Sequence, residues 1–114
     1  MILEELLSAL NRIRKESGAS VLSELPAGER NNGNNCVVAV ALKDIDPGIK
    51  VYKEGIFSTD KNFSQLVADQ LEYGFELIVW KLPTDYRYGV PTPIYMRNFI
   101  ADFDEGKFPE LEAS

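Results

Sequence analysis

Three segments of this chain carry apolar residues at helical spacing, and each of them ends at a glycine. The apolar side chains recur at about i, i+3, i+4 and i+7, which is the pattern of a helix with one buried face. Such helices have to cover their apolar faces by packing on one another or on a sheet. The predicted helices are residues 2–17 before Gly18, residues from Asp60 to Gly74, and residues from Thr92 to about Glu105, before Gly106.

The ends of these segments carry residues that favour helix termini. Asp60 is a predicted N-cap, and Thr92 is another, with Pro93 at the first helical position. Arg14 and Lys15 lie in the last turn of the first helix, where basic side chains interact favourably with the helix dipole. The capping residues therefore support the same three helices as the apolar spacing does.

Two other segments have the composition of strands. Residues 49–57 are predicted to form one strand, in which Gly55 marks a bulge or a frayed end. Residues 75–82 contain the uninterrupted apolar run Leu77–Trp80, which predicts a strand covered on both faces and the most buried one of the sheet. Residues 19–35 are rich in Asn, Gly and Pro turn residues and are predicted to be a loop.

Residues 36–42 fit either a buried strand or a short helix. A helix is favoured because Asn34 or Asn35 can act as the N-cap and because alanine is a weak strand former. We predict an α+β fold: residues 1–114 form a single domain, in which about three main helices pack on a two- or three-stranded sheet, with a short acidic tail over about 107–114. A sheet of two strands alone has marginal stability. We therefore expect a third strand, helices that cover the two strands, or a homodimer to stabilise it.

The composition narrows the routes to catalysis. The chain has no histidine and one cysteine, Cys36, which removes histidine-based catalytic triads, disulfides within the chain and multi-cysteine metal sites. Glycine-rich phosphate loops and calcium-loop spacings are also absent from the sequence. We expect no catalytic, cofactor-binding or metal-binding residues, and we interpret Cys36 as a small core residue rather than a nucleophile.

The charge distribution bears on the kind of partner. The formal net charge is −6, and residues 102–114 carry −4 of it. Because nucleic-acid binding needs clustered lysine and arginine, we do not expect a nucleic-acid partner. The acidic N-terminal residues and the lack of a long apolar run predict neither a secretory signal nor a membrane span, so we expect a cytoplasmic protein.

Tyr86, Arg87 and Tyr88 are the predicted partner-binding residues. They lie in residues 84–91, a segment bounded by glycine and proline that we predict to be an exposed loop. Tyrosine and arginine are enriched among the residues that dominate the binding energy of protein interfaces. Their position in a predicted loop favours contact with an unidentified protein partner.

Two short segments resemble parts of small uncharacterised proteins of actinobacteria and their phages. One contains Cys36, Ala39, Ala41 and Leu42, with Val37 where that group often has proline; the other is the C-terminal run from Phe103 to Leu111, of the form Phe-Asp-x-Gly-x-Phe-Pro-x-Leu. The resemblance implies a helix at Cys36 and a docked C-terminal turn, and it implies no activity.

These observations favour a protein that acts by binding. We predict a non-enzymatic accessory or regulatory factor that contacts another protein, of the kind that phages encode. The alternative is a small-molecule-binding protein or minor enzyme with a pocket between the sheet and the helices.

Overall fold

A computed structural model describes residues 2–71, 78–81 and 86–113. Within these ranges α1, α3 and α4 are the three main helices, and together with the sheet they confirm the predicted α+β class. The elements are α1 (Ile2–Glu16), α2 (Val37–Leu42), β1 (Lys50–Val51), β2 (Gly55–Ser58), α3 (Lys61–Gln70), β3 (Ile78–Lys81), β4 (Tyr86–Pro91), α4 (Ile94–Asp104) and a 3-10 turn (Pro109–Leu111).

The sheet is antiparallel with the strand order β1-β2-β4-β3. Three of its strands have four residues or more, and β1 adds two residues at one edge. The prediction that residues 75–82 form the most buried strand is wrong, because β3 lies at the other edge and Val79 is 56% exposed. An apolar run does not reveal its position in a sheet, and here β4 takes the place between β2 and β3.

Two predicted segment boundaries are also wrong. Residues 49–57 form two strands rather than one, because the chain turns back after Val51 and the Tyr52 amide donates a hydrogen bond to the Gly55 carbonyl at 2.9 Å. The predicted loop over 84–91 contains β4, whose six residues pair with β2 and β3. Residues 84–85 of that loop lie outside the described residues.

The helix termini agree with the sequence in part. Asp60 caps α3 as predicted, since its side chain accepts a hydrogen bond from the Phe63 amide at 3.1 Å. α3 ends at Gln70, and the predicted stop at Gly74 lies outside the described residues. Residues 37–42 form the favoured helix, α2.

Two predicted N-caps are replaced by a neighbouring residue. Cys36, rather than an asparagine, is the N-cap of α2. Pro93 is the N-cap of α4, because the Thr92 hydroxyl instead donates a hydrogen bond to the Tyr52 carbonyl at 2.8 Å. That bond ties the start of α4 to the turn between β1 and β2.

One face of the sheet packs against the helices. Val51, Ile56 and Val90 project from it into the core cluster, which also contains apolar residues of all four helices. The register puts Lys50 and Gly89 opposite Phe57, on the other side of the strands. We call this second side the outer face and define it by the residues of β1, β2 and β4 that alternate away from the core: Lys50, Gly55, Phe57, Arg87, Gly89 and Pro91.

The C-terminal segment docks back as predicted. Gly106 has φ +83°, a conformation that glycine adopts without strain and that lets the chain reverse after α4. The Phe108 ring then lies 5.1 Å from that of Phe99, and Leu111 packs against the core. The Gly28 amide donates to the Leu111 carbonyl at 2.8 Å, which fastens the segment to the loop before α2.

Candidate functional site

The predicted contact residues do not form one loop surface. Arg87 belongs to the outer face, whereas Tyr88 pairs with the buried Ser58 and alternates to the side that faces the helices. Both side chains are half-buried, and the Tyr88 carbonyl accepts a hydrogen bond from the Ser64 hydroxyl at 3.0 Å. The backbone of Tyr86 begins β4, and its side chain lies outside the described residues. A role of these three residues in partner binding stays a prediction.

Arg87 extends across the outer face. Its Nη1 atom donates a hydrogen bond at 3.1 Å to the carbonyl of Gly48, which lies just before β1. Since β2 separates β4 from β1, the side chain crosses a neighbouring strand, and strands lie about 4.8 Å apart. The guanidinium group is thereby held along the sheet.

Phe57 lies on the same side of the sheet as Arg87. The ring of Phe57 covers Gly55, because a Cβ atom on that glycine would be only 3.1 Å from Phe57 Cζ. The centroid of the Tyr52 ring is 6.2 Å from that of Phe57, and Tyr52 is 42% exposed. The Phe57 side chain is half-buried. The rings of Tyr52 and Phe57 therefore extend the outer face towards the β1–β2 turn.

The strands differ in charge from the chain as a whole. The charged residues of β1 to β4 are Lys50, Lys81 and Arg87, and these strands contain neither aspartate nor glutamate. Two of these bases, Lys50 and Arg87, belong to the outer face. In a chain with a net charge of −6, Lys50 and Arg87 are thus the charged residues among those that define the outer face.

A second candidate site is a cleft of about 220 Å³ beside the β1–β2 turn. Its floor is formed by buried Cys36, Val51 and Ile100. On its rim, the Asp104 carboxylate accepts a hydrogen bond from the backbone amide of Asn31 at 2.8 Å. The other lining residues are Asn32, Gly33, Tyr52, Lys53 and Glu54. Polar rim groups over an apolar floor are typical of ligand sites, although the volume is below the usual range of about 300–1,000 Å³.

The chemistry of the cleft does not support nucleophilic catalysis. Cys36 is 5% exposed, and burial raises the pKa of its thiol, which keeps it protonated. Its place in the core cluster agrees with its interpretation as a core residue. Among the described residues, no group of three or more Cys, Asp or Glu side chains is placed to hold a metal ion. The carboxylate of the buried Asp46 accepts a hydrogen bond from the Ser58 hydroxyl at 2.5 Å.

Comparisons with protein-family models, with curated proteins and with solved structures find no match for this chain. In the part of the chain that the structure describes, no helix is long and apolar enough to cross a membrane.

Proposed function

We propose that this protein is a non-enzymatic factor that binds another protein through the outer face of its sheet. The observation that carries the proposal is the combination on this face of a held arginine, a lysine and partly exposed aromatic rings. Aromatic and arginine side chains are enriched at protein interfaces, where they contribute much of the binding energy. Arg87 is the predicted contact residue that belongs to this face.

The experiment is site-specific photo-crosslinking in a lysate of the native host. A photoreactive amino acid replaces Lys50 on the outer face, and in a matched control it replaces Lys15, an exposed lysine of α1. We expect one defined protein adduct from position 50 that is absent from position 15, identified by mass spectrometry. The same adducts from both positions, or none from position 50, would contradict the proposal.

The remaining contact residues are tested in the same assay. The double variant Tyr86→Ala/Tyr88→Ala is combined with the photoreactive residue at position 50. A contact role predicts a weaker adduct, whereas an unchanged adduct removes both tyrosines from the interface. Circular dichroism and the urea midpoint of the variant show whether its fold is intact.

The cleft supports a second candidate function, the binding of a small polar molecule. Its apolar floor and its rim of amide and carboxylate groups favour this function. A thermal-shift screen against metabolites tests it, because a ligand that binds the folded state raises the melting temperature. A hit has to shift the amide resonances of Asn31 and Gly33, and hits that leave both unchanged would remove the cleft from consideration.

A further inference from the structure

A second depression adjoins the cleft beside the β1–β2 turn. It has a volume of about 300 Å³ and is lined by Lys53, Glu54 and Arg97, of which the first two also line the cleft. Arg97 and the cleft residues Ile100 and Asp104 follow one another in α4 at intervals of three and four residues, so they lie on one face of that helix. We call the cleft and this depression together the α4 groove.

One end of the α4 groove is positively charged. Lys53 and Arg97 are exposed there, and in the part of the chain that the structure describes neither of them forms a salt bridge. Glu54 lies beside them and offsets one of the two positive charges. A carboxylate placed between the two bases would therefore find a net positive charge and several N–H donors.

The other end of the groove is negatively charged. The half-buried Asp104 forms no salt bridge with the described residues, and its carboxylate accepts a hydrogen bond from the uncharged Asn31 amide. Arg30, whose guanidinium lies beside Gly106, pairs with Glu112 at 3.0 Å instead. The Asp104 carboxylate therefore keeps its charge and is placed to accept from a cationic group.

The length of the groove limits the size of its occupant. Arg97 and Asp104 are seven positions apart, and a helix rises about 1.5 Å per residue, so they are about 10 Å apart along α4. An extended peptide of three residues has about this length. Ile100 lies between the two positions, and with Cys36 and Val51 it gives the groove an apolar floor that suits an apolar side chain.

Contacts within the chain hold the walls of the groove in place. The Val51 amide donates a hydrogen bond to the Gly33 carbonyl at 2.8 Å, and the Tyr52 ring packs on Gly33, where a Cβ atom would be 2.5 Å from it. The hydrogen bond from Thr92 to the Tyr52 carbonyl joins the β1–β2 turn to the start of α4. A preformed site lowers the entropic cost of binding.

From this geometry we infer that the α4 groove binds a short peptide of about three residues through its two charged termini. The ammonium group pairs with Asp104, the carboxylate pairs with Lys53 and Arg97, and an apolar middle side chain contacts the floor. The inference rests on the second candidate function, the binding of a small polar molecule in the cleft, and adds the chemistry of that molecule. A ligand with a single charge satisfies only one end of the groove.

The test is titration of the isotope-labelled protein with the tripeptide glycyl-leucyl-glycine, followed by NMR. The comparison probes are the same tripeptide with its amino terminus acetylated, the tripeptide with its carboxyl terminus amidated, and the single amino acid leucine. We expect the tripeptide to shift the amide resonances of Asn31 and Gly33 at one end and of Lys53 and Arg97 at the other. Blocking either terminus should weaken binding about fivefold, because one partly exposed charge pair is lost. Leucine is too short to shift both ends.

Two variants assign each terminus to its end of the groove. Asp104→Asn keeps an acceptor for the Asn31 amide but removes the charge. It should abolish the preference for the unblocked over the acetylated amino terminus and keep the preference for the unblocked carboxyl terminus. The double variant Lys53→Gln/Arg97→Gln should do the reverse. A structural effect of either change would weaken the binding of all probes alike and would contradict the inference.

Charge-matched controls remove the same charges elsewhere. Asp69→Asn on α3 and Arg12→Gln/Lys15→Gln on α1 are expected to leave both preferences unchanged. The inference is overturned if the tripeptide shifts none of the groove amides, if the blocked peptides bind as tightly as the unblocked one, or if the controls also remove the preferences. Metabolite hits that shift Asn31 and Gly33 without any tripeptide binding would leave the cleft as a ligand site and remove only the peptide.

Discussion

Replacing Arg14 by alanine tests the polar contacts that join α1 to the segment around α2. Arg14 is 4% exposed. Its Nε atom donates to the Ser20 carbonyl at 2.7 Å, and Nη1 donates to the Ala41 carbonyl at 2.7 Å. The guanidinium also binds both carboxylate oxygens of Asp44, at 2.7 and 3.1 Å. Truncation leaves the two carbonyls and the carboxylate without this donor.

The size of the effect follows from the exposure of each acceptor. The Asp44 side chain is 61% exposed, so water screens its share of the ion pair, which we place at or below about 1 kcal/mol. The Ala41 carbonyl loses a buried charged hydrogen bond, and such bonds contribute about 1.5–3 kcal/mol each. With the Ser20 bond added, we expect Arg14→Ala to lower the free energy of unfolding by about 3–5 kcal/mol. Asp44→Ala is expected to cost about 1 kcal/mol or less.

Urea denaturation of the two single variants and the double variant measures these values, provided that the m-value stays constant. We expect the double-mutant cycle to give a coupling energy between Arg14 and Asp44 of about 1 kcal/mol or less, because most of the stability lost in Arg14→Ala comes from the hydrogen bonds to the two carbonyls. If Asp44→Ala costs as much as Arg14→Ala, the reasoning is refuted, since the ion pair and not the carbonyl contacts would then dominate.

Four further predictions concern separate contacts. A hydrogen bond from Arg14 lowers the pKa of Asp44, so the ionised Asp44 stabilises the fold above about pH 4, and this stabilisation is lost as the pH falls through the lowered pKa. Urea midpoints measured across pH should therefore fall less steeply in acid for Asp44→Asn than for the parent chain. Gly28→Ala is expected to cost about 3 kcal/mol, because its Cβ would lie 2.4 Å from a backbone nitrogen, whereas Gly48→Ala meets nothing nearer than 3.8 Å; similar urea midpoints for the two variants would contradict this. Iodoacetamide should label Cys36 only in the unfolded chain, because burial raises the pKa of the thiol, and rapid labelling of the native protein, read by mass spectrometry, would show an accessible thiolate. Phe108→Ala removes the ring contact with α4, so limited proteolysis should cut the C-terminal segment sooner than in the parent chain, and equal cleavage rates would mean that the ring does not hold it.

The helices could be predicted because their signals are local. The apolar spacing of α1, α3 and α4 and the cap at Asp60 each depend on a few neighbouring residues. The strand order could not be predicted, because pairing joins segments that are far apart in the chain. The run that contains Val79 suits an edge or a central strand equally well, and only the pairing of β4 with β2 decides between them.

Tertiary contacts of single side chains could not be predicted either. Arg14 lies in the last turn of α1 as predicted, but it is buried and binds the Ala41 carbonyl of α2 and the Asp44 carboxylate, partners that helix periodicity cannot reveal. One local signal was present, since Arg14 follows Leu10 by four residues and so continues the apolar stripe. Thr92 is a favourable N-cap in any local scale, yet its hydroxyl bonds to the Tyr52 carbonyl instead.

The outer face shows why the candidate site required the fold. Turn residues around Tyr86, Arg87 and Tyr88 favoured a loop, in which all three side chains could meet one partner. In a strand the same residues alternate, so Arg87 joins Lys50 and Phe57, while Tyr88 alternates to the side that faces the helices. Which charged residues belong to the sheet could likewise be read only once the ends of the strands were known. A binding experiment guided by the three consecutive residues would divide its variants between two faces, whereas Arg87 and Lys50 test one surface.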